Sequence, residues 1–327
     1  MESKMSCETN WPCVALEHVS LASRNTMRVG GQARWLLEPT TPEKLREAYL
    51  AARERDLPIR LLGGGANIIP ADGLWEGVVI CTTQMRRIFR PLPGSEDDSP
   101  LEFDDPEART AFPPIAQDPR LISWAGTTLP ALMRAARDLG LSGLEGLAGV
   151  PGQVGGGIAM NAGGTWGDLW DHAEWVQVIN HAGEFVSLTR EQANPTYRNG
   201  GVHGALVVGA VWRLEPKPKL VVQETIAGYL RHKRDVQPVT ESSAGCIFKN
   251  PDPELSEGRS AGALVDQCGL KGLTIGAAKV SEKHANFIVN TGGATASHVY
   301  QLMDEVRDRV AQKSGVQLAF EVKRWLI

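Results

Sequence analysis

Two glycine-rich stretches constrain the fold of this chain more than any other feature of its sequence. The first, Gly63-Gly64-Gly65-Ala66-Asn67, follows Ile59–Leu62, a largely apolar run typical of a short buried strand. The second covers residues 150–157, and Asn161-Ala162-Gly163-Gly164 follows it. Because glycine lets neighbouring backbone N–H groups converge, two such loops suit the pyrophosphate of a dinucleotide. Each loop taken singly is more often a tight turn between packed strands.

The sequence argues against several classes of nucleotide or polyanion binder. Neither stretch contains G-x-G-x-x-G, and G-x-x-x-x-G-K-[ST] occurs nowhere in the chain, so a Rossmann dehydrogenase and a P-loop NTPase are disfavoured. Lys and Arg number 34 against 38 Asp and Glu, which gives a net charge of −4. That balance disfavours a general binder of nucleic acid or of anionic membranes.

The remaining pattern predicts interspersed helices and strands. Thr41 is expected to cap a helix that begins at Pro42 and ends near Asp56. Apolar residues at helical spacing predict two more helices, one terminated by Gly140 and one by Gly315. Residues 174–188 predict a hairpin and residues 205–212 another strand. The predicted class is therefore α+β or mixed α/β.

Two segments stand apart in composition. Residues 91–120 contain seven prolines and a cluster of acidic side chains, which cannot bury enough apolar surface to offset their ordering entropy. They predict a solvated surface insertion, and a docking strip for a basic partner is the less favoured alternative. Residues 215–219, with two prolines between charged residues, predict a linker into a C-terminal domain.

Localisation and metal binding follow from simple features. The segment from Met1 to Trp11 carries charges and no apolar core, so it resembles neither a secretory signal nor a transit peptide. No apolar run approaches the ~20 residues needed to span a bilayer. Five scattered cysteines predict reduced thiols in the cytoplasm, and neither they nor the seven dispersed histidines have the spacing of a metal site.

An ordered series of segments carries a family resemblance. Besides the two glycine stretches and Gly143 to Gly149 before the second, the segments are Asn25-Thr26-Met27-Arg28-Val29-Gly30-Gly31, Tyr197-Arg198, residues 244–251 (Ala-Gly-Cys-Ile-Phe-Lys-Asn-Pro), Gly269-Leu270-Lys271-Gly272, residues 280–290 and Glu321-Val322. In this order they resemble the signatures of the UDP-N-acetylenolpyruvoylglucosamine reductase (MurB) family. The resemblance covers nearly the whole chain except residues 91–120. The Gly-Leu-Lys-Gly and Val-Ser-x-x-His blocks are similar to the branch that lacks an extra tyrosine-bearing loop.

The resemblance implies a fold and a reaction. It implies an α+β chain with an FAD-binding domain of the vanillyl-alcohol-oxidase (PCMH) type at residues 1–218, in subdomains of about 1–79 and 80–218, and a smaller substrate domain at residues 219–327. It implies an NADPH-dependent flavoenzyme that converts UDP-N-acetylglucosamine enolpyruvate to UDP-N-acetylmuramate for peptidoglycan. The expected protein is cytoplasmic and monomeric or weakly oligomeric, without nucleic acid or membrane insertion. Because no His or Cys lies between Gly63 and Gly73, the FAD is expected to be non-covalent.

The resemblance also implies three catalytic residues whose chemistry fits that reaction. Hydride addition to the enolpyruvyl carbon remote from the carboxylate develops negative charge on the carboxylate side. Arg198 is a permanently charged, forked donor suited to that carboxylate, and a protonated Glu321 would donate to the same oxygens. Cys246 stands where many family members have serine, the proton donor. A free thiol is mostly protonated at neutral pH, so it is a competent acid.

Binding residues come from the same resemblance. The implied substrate residues are Tyr197, Lys249, Asn250, Lys271 and His284, and structural roles are about as well supported for the last two. The implied cofactor residues are Gly63, Gly64, Gly65, Ala66, Asn67, Pro151, Gly152, Val154, Gly155, Gly156, Asn161 and Gly163. Ala66 departs from the usual serine, which removes one hydroxyl donor. Backbone donors can suffice, because one neutral hydrogen bond contributes only ~1 kcal/mol net.

Two alternatives stay open at the level of the sequence. Another oxidase or dehydrogenase on the same flavin fold would have no reason to keep Cys246, Lys249 and Asn250 together with Glu321. A non-catalytic nucleotide-sugar sensor would be compatible with Ala66 and would purify without colour.

Overall fold

The computed structural model describes residues 10–91 and 115–327. Most of the predicted acidic insertion, residues 92–114, lies outside this description. The described residues form two compact units. The first unit contains residues 10–16, 36–64, 77–91 and 115–231, and the second contains residues 17–35, 65–76 and 232–327. Each unit is therefore discontinuous in sequence.

The secondary structure mixes short strands with helices. The strands are β1 Val14–Ser20, β2 Gln32–Glu38, β3 Ile59–Leu62, β4 Ile68–Pro70, β5 Leu74–Cys81, β6 Ile88–Phe89, β7 Arg120–Trp124, β8 Leu141–Ser142, β9 Gly163–Gly164, β10 Gly167–Asp168, β11 Ala173–Ile179, β12 Phe185–Thr189, β13 Leu206–Arg213, β14 Glu215–Pro216, β15 Ser242–Cys246, β16 Thr274–Ile275, β17 Ala278–Val280, β18 Phe287–Asn290 and β19 Lys323–Trp325. The helices are α1 Pro42–Glu54, α2 Leu129–Asp138, α3 Val154–Ala159, α4 Arg190–Ala193, α5 Lys219–Val236, α6 Pro253–Ser256, α7 Ala261–Gln267 and α8 Ala296–Ser314.

Local capping chemistry explains where the predicted helices begin and end. The Oγ1 atom of Thr41 accepts a hydrogen bond from the N–H of Lys44 at 3.2 Å, and Pro42 occupies the first helical position of α1. Helix α8 ends at Gly315, whose φ of +72° suits glycine. Gly140 follows α2 with a φ of +68°. The predicted helix at residue 42 and the two glycine terminators are confirmed.

A five-stranded antiparallel sheet organises the first unit. Its order is β12-β11-β13-β7-β6, and the predicted hairpin is the β11–β12 pair, in which Trp175 lies opposite Thr189. Helix α3 packs against β13, and the buried residues of this core include Trp212, whose Nε1 donates to the Oγ of Ser123 at 2.8 Å. Burying each large apolar side chain stabilises the fold by roughly 1.5–3 kcal/mol.

A second sheet leads into the first glycine stretch. It has the order β1-β2-β5-β3, with β3 parallel to β5 and Leu62 opposite Cys81. The predicted strand at Ile59–Leu62 is thus confirmed, and it ends where the glycines begin.

The second unit has its own sheet and core. Its antiparallel sheet has the order β15-β18-β17-β16, and β19 runs parallel to β4. One face of α8 is fully buried, through Val299, Leu302, Met303, Val306 and Val310, as helical spacing predicts. Among the described residues, no helix combines the length and the hydropathy required to cross a bilayer.

The structure corrects two sequence predictions, one for residues 215–219 and one for the end of the predicted insertion. Residues 215–219 are not a linker, because β14 pairs with β8 and Lys219 begins the 18-residue helix α5. The prolines misled the prediction, since both a two-residue strand and a helix start tolerate them. Arg120, assigned to the insertion, opens β7 opposite Arg213. The two compact units do not coincide with the predicted domains, because the units are discontinuous in sequence and one boundary lies at residue 231 instead of residue 218. Which domain binds FAD and which binds the substrate stays a prediction.

Candidate active site

In the first unit, the two glycines that open one glycine stretch touch the other glycine stretch. We define the first turn as residues 63–67 and the second turn as residues 150–157. A Cβ atom placed on Gly64 would lie 3.3 Å from the Cα of Gly152, and one placed on Gly63 would lie 3.2 Å from Oε1 of Gln153. Both distances are shorter than an ordinary van der Waals contact, so the close approach favours glycine at these two positions. Gly63 and Gly64 therefore lie against the second turn, and a dinucleotide site at this place stays a prediction.

The first turn leaves its N–H groups available. None of the N–H groups of residues 63–67 donates to a backbone carbonyl of the residues that the structure describes. In the second unit the turn is anchored by its carbonyl, because Gly65 O accepts from the N–H of Thr26 at 3.1 Å. Gly65 has a φ of +62°, and a Cβ there would lie 2.3 Å from the carbonyl oxygen of Arg24. The geometry thus fixes the turn, and N–H groups without backbone partners among the described residues suit an anion.

The second turn uses its N–H groups differently. The N–H of Val154 donates to Thr127 O and that of Gly155 to Ala125 O, both at 2.9 Å. These hydrogen bonds hold the turn against the end of β7. Pro151 is exposed beside them. The places of Pro151, Val154 and Gly155 in a cofactor site stay predictions, and the N–H groups of the last two already have protein partners.

Only one of the three consecutive glycines in α3 has no packing reason to be glycine. A Cβ on Gly155 would lie 3.0 Å from the Cβ of Ala125, and one on Gly157 would lie 2.7 Å from Cδ1 of Leu169. A Cβ on Gly156 would meet nothing within 4 Å. Glycine inside a helix is unfavourable by roughly 0.5–1 kcal/mol relative to alanine. The open space at Gly156 therefore suits the close approach of a ligand.

Asn161 and Gly163 connect the glycine region to Arg198. Asn161 adopts a left-handed φ of +43°, and its side chain donates to Thr196 O and accepts from the N–H of Trp170, both at 3.3 Å. The carbonyl of Gly163 accepts from Nη2 of Arg198 at 3.2 Å. A predicted cofactor residue and a predicted catalytic residue are thus in direct contact.

Arg198 is held by a strained turn. Its φ of +56° lies in the left-handed region, which costs a non-glycine residue about 1–2 kcal/mol. The guanidinium carbon lies 4.8 Å from the ring centroid of Tyr197, which is 48 % exposed. Burial raises the pKa of nearby Asp168, and the positive charge of Arg198 partly opposes that rise. Strain of this kind is typical of functional positions.

In the second unit the backbone brings the other two predicted catalytic residues together. Cys246, which is half-buried and outside any disulfide, ends β15. The segment that follows pairs with residues 319–321, because the N–H of Glu321 donates to Ile247 O and that of Lys249 to Ala319 O, both at 2.8 Å. Cys246 and Glu321 therefore lie on neighbouring extended segments, although they are far apart in sequence.

Two asparagines fix those segments. Asn67 donates from Nδ2 to the carbonyl of Glu321 at 3.3 Å, which connects the first turn to that extended segment. The side chain of Asn286 accepts from the N–H of Phe248 at 2.9 Å and donates to its carbonyl at 2.8 Å. Asn286 did not figure in the sequence analysis. A buried amide that satisfies both backbone groups of one residue leaves no local sequence signal.

Three of the remaining predicted substrate residues have side-chain partners within the second unit. Oδ1 of Asn250 accepts from the N–H of Ala261 at 3.1 Å, and Lys271 forms an ion pair with Asp266 at 2.7 Å. The Nδ1 atom of His284 accepts from the N–H of Asn286, and burial lowers the pKa of the imidazole, which favours its neutral form. Their substrate roles, like that of Lys249, stay predictions.

Comparison with known proteins decides the family. A family model described as an FAD binding domain matches residues 115–189, and one described as the C-terminal domain of UDP-N-acetylenolpyruvoylglucosamine reductase matches residues 237–325. The UDP-N-acetylenolpyruvoylglucosamine reductase of Synechococcus sp. (strain WH7803) is 38 % identical over 317 residues, 95 % of this chain and 93 % of that protein. The chain belongs to the UDP-N-acetylenolpyruvoylglucosamine reductase family. The same enzyme of Deinococcus radiodurans is also 38 % identical, over 95 % of this chain and 96 % of its own length.

A solved structure agrees with that assignment. The crystal structure of UDP-N-acetylenolpyruvylglucosamine reductase (MurB) from Thermus caldophilus has a TM-score of 0.73 and 34 % identity, and the match covers 95 % of this chain and 98 % of that one. The predicted resemblance to the reductase family is confirmed. So are the α+β class with an FAD-binding domain and a separate C-terminal domain, and FAD as the cofactor. The roles of individual site residues stay predictions.

Proposed function

We propose that this chain reduces UDP-N-acetylglucosamine enolpyruvate to UDP-N-acetylmuramate with NADPH, a step of peptidoglycan precursor synthesis. The observation that carries the proposal is the match to reductases of this name over about 95 % of the chain. The contact between Gly64 and Gly152 supports it independently, because that contact brings together two glycine turns in one site.

The residues of the glycine region fit a bound FAD. The N–H groups of the first turn would hold the pyrophosphate, and the open Cα of Gly156 allows close approach. When bound, FAD supplies the redox chemistry, accepting hydride from NADPH and giving it to the enolpyruvyl carbon. The protein must then bind the substrate, stabilise charge and supply a proton.

Three side chains are proposed to perform those tasks. Arg198 binds the substrate carboxylate through its forked donors and stabilises the negative charge that develops there. Glu321, in its protonated form, donates to the same oxygens. The thiol of Cys246 gives its proton to the carbon that bears the carboxylate. The contact of Arg198 with Gly163 O and the pairing of Glu321 with Ile247 support fixed positions for two of them.

A visible spectrum of the purified protein tests the whole proposal. A yellow protein should bleach on addition of NADPH without oxygen and recover its colour on addition of UDP-N-acetylglucosamine enolpyruvate. A colourless protein that still binds the nucleotide sugar would indicate a sensor. Rapid recovery with oxygen but none with the nucleotide sugar would indicate an oxidase of another substrate.

Substitution of Cys246 tests the proton donor. Cys246→Ala should slow reoxidation of the reduced protein by the substrate by about 10²-fold or more, whereas Cys246→Ser should retain part of the rate. Bleaching by NADPH should be unaffected in both variants. Cys268→Ala, in the same unit, is the control. An unchanged rate for Cys246→Ala would refute the role.

We also propose a cytoplasmic protein that is monomeric or weakly oligomeric and has no nucleic-acid partner. The proposed substrates, a nucleotide sugar and NADPH, are cytoplasmic metabolites, and a net charge of −4 disfavours polyanionic partners. Sedimentation of the purified protein over a range of concentrations tests the oligomeric state.

A further inference from the structure

Gln153, in the second turn, carries a buried polar atom without a partner. The residue is 6 % exposed, and its Oε1 accepts no hydrogen bond from the part of the chain that the structure describes. Buried carbonyl oxygens are nearly always hydrogen-bonded in folded proteins, so each exception requires an explanation. A hydrogen bond to a bound ligand is one such explanation.

Gln153 is also unusual for its position at the start of a helix. Gln153 is the residue before α3, where a short polar side chain would accept from the first free N–H groups of the helix. The glutamine side chain makes no such hydrogen bond. Gln153 therefore departs from two common preferences: it does not cap the helix that it precedes, and its buried oxygen has no hydrogen-bond partner among the described residues. Such conflicts concentrate at functional sites.

The unpartnered oxygen points toward the first turn. A Cβ on Gly63 would lie 3.2 Å from Oε1 of Gln153, and one on Gly64 would lie 3.6 Å from its Cγ. The side chain thus lies along the two glycines that open the turn. The site offers both kinds of partner: N–H donors from the first turn and a carbonyl acceptor from Gln153.

We propose that Oε1 of Gln153 accepts a hydrogen bond from a sugar hydroxyl of the bound FAD. This inference rests on the proposed function. Pyrophosphate oxygens carry no proton at neutral pH, so they cannot donate to a carbonyl oxygen, and they suit the N–H groups of the first turn instead. The groups on either side of the pyrophosphate are the ribityl chain and the adenosine ribose, and both carry hydroxyl donors. Gln153 therefore fixes the position of FAD along the two turns.

The test measures FAD affinity and the stability of the flavin-free protein together. Gln153→Met keeps the length of the side chain and removes its hydrogen-bonding atoms. FAD should bind about tenfold more weakly, as followed by quenching of flavin fluorescence. The melting temperature of the flavin-free variant should be unchanged or up to about 4 °C higher, because an unsatisfied buried oxygen is gone. A purely structural glutamine would lower that temperature and leave the affinity unchanged.

A second variant and a control complete the experiment. Gln153→Asn retracts the amide by one methylene and places a preferred residue at the start of α3, so it should also weaken FAD binding without destabilising the flavin-free protein. Gln177→Met makes the same change at a buried glutamine of β11 and should leave FAD affinity unchanged. If both Gln153 variants bind FAD as tightly as wild type, the inference is wrong and the proposed function stands. If the wild-type chain binds no FAD, the proposed function itself fails.

Competition with fragments of the cofactor identifies the donor. FMN carries the ribityl hydroxyls, and ADP carries the ribose hydroxyls. Displacement of FAD by each fragment is measured on wild type and on Gln153→Met. The substitution should weaken the fragment that contains the donor by about tenfold and leave the other unchanged. Equal competition by both fragments in the two proteins would contradict a hydroxyl donor.

Discussion

The two glycine turns have similar compositions and different physical roles. The first turn, residues 63–67, is anchored through the carbonyl of Gly65 and keeps its N–H groups free of backbone partners in the described chain. In the second turn, the N–H groups of Val154 and Gly155 donate to carbonyls at the end of β7. The first turn therefore presents donors, and the second presents open space at Gly156 and an acceptor at Gln153.

This difference shows that a run of glycines has to be interpreted one residue at a time. Each glycine can be required by backbone conformation, by packing or by a ligand, and only the surroundings of its Cα distinguish the three cases. The substitutions below distinguish these three cases. Each adds a single methyl or hydroxyl group at a position where a different factor limits the side chain.

The largest effect is expected at Gly65, where backbone conformation and packing both require glycine. Gly65→Ala forces a left-handed φ on alanine and places its Cβ 2.3 Å from the carbonyl oxygen of Arg24. We expect a loss of about 3 kcal/mol or more of unfolding free energy. Chemical denaturation measures it. Gly164→Ala, whose Cβ would meet nothing within 4 Å, is the control and should be neutral.

A smaller loss is expected at Gly157, where packing and not backbone conformation disfavours a larger residue. Its Cβ would lie 2.7 Å from Cδ1 of Leu169, a fully buried side chain. Gly157→Ala should destabilise the flavin-free protein by about 1–2 kcal/mol, since overpacking outweighs the gain in helix propensity. Thermal unfolding without FAD measures it. A stabilised variant would show that the core around Leu169 is loosely packed.

Gly156, one residue away, should respond with the opposite sign. Gly156→Ala gains roughly 0.5–1 kcal/mol of helix propensity without a clash, so the flavin-free protein should become more stable. FAD affinity should fall about tenfold, because the new methyl group occupies the space left for the ligand. Gly157→Ala is the matched comparison. Unchanged FAD affinity in Gly156→Ala would remove this residue from the cofactor site.

Features set by local chemistry were predictable from the sequence. Thr41 and Pro42 by themselves specify the start of α1. Gly315 ends α8 because it adopts a left-handed φ that is unfavourable for residues other than glycine. The two-residue strand at Glu215–Pro216 was missed, since its partner Leu141–Ser142 is remote in sequence and proline usually indicates a loop.

The site was predictable only in outline. The glycine stretches were located from composition, but the partners of the Val154 and Gly155 N–H groups lie on the exit of β7 and leave no mark in the local pattern. The neighbouring positions of Cys246 and Glu321 depended on family resemblance, because no periodicity connects residues so distant in sequence. Gln153 was missed for another reason: its unpartnered oxygen is a property of packing.

The smallest effect is expected at Ala66, where the family resemblance implies a serine hydroxyl that the first turn lacks. Ala66→Ser restores one donor beside the N–H groups of the turn. It should tighten FAD binding about two- to fivefold, since a net hydrogen bond contributes about 0.5–1.5 kcal/mol, and should change the stability of the flavin-free protein by less than about 0.5 kcal/mol. Ala71→Ser, beyond β4, is the control. Unchanged FAD affinity for Ala66→Ser would mean that backbone donors alone already satisfy the pyrophosphate. The first turn would then differ from the second turn as a hydrogen-bond donor only through its N–H groups.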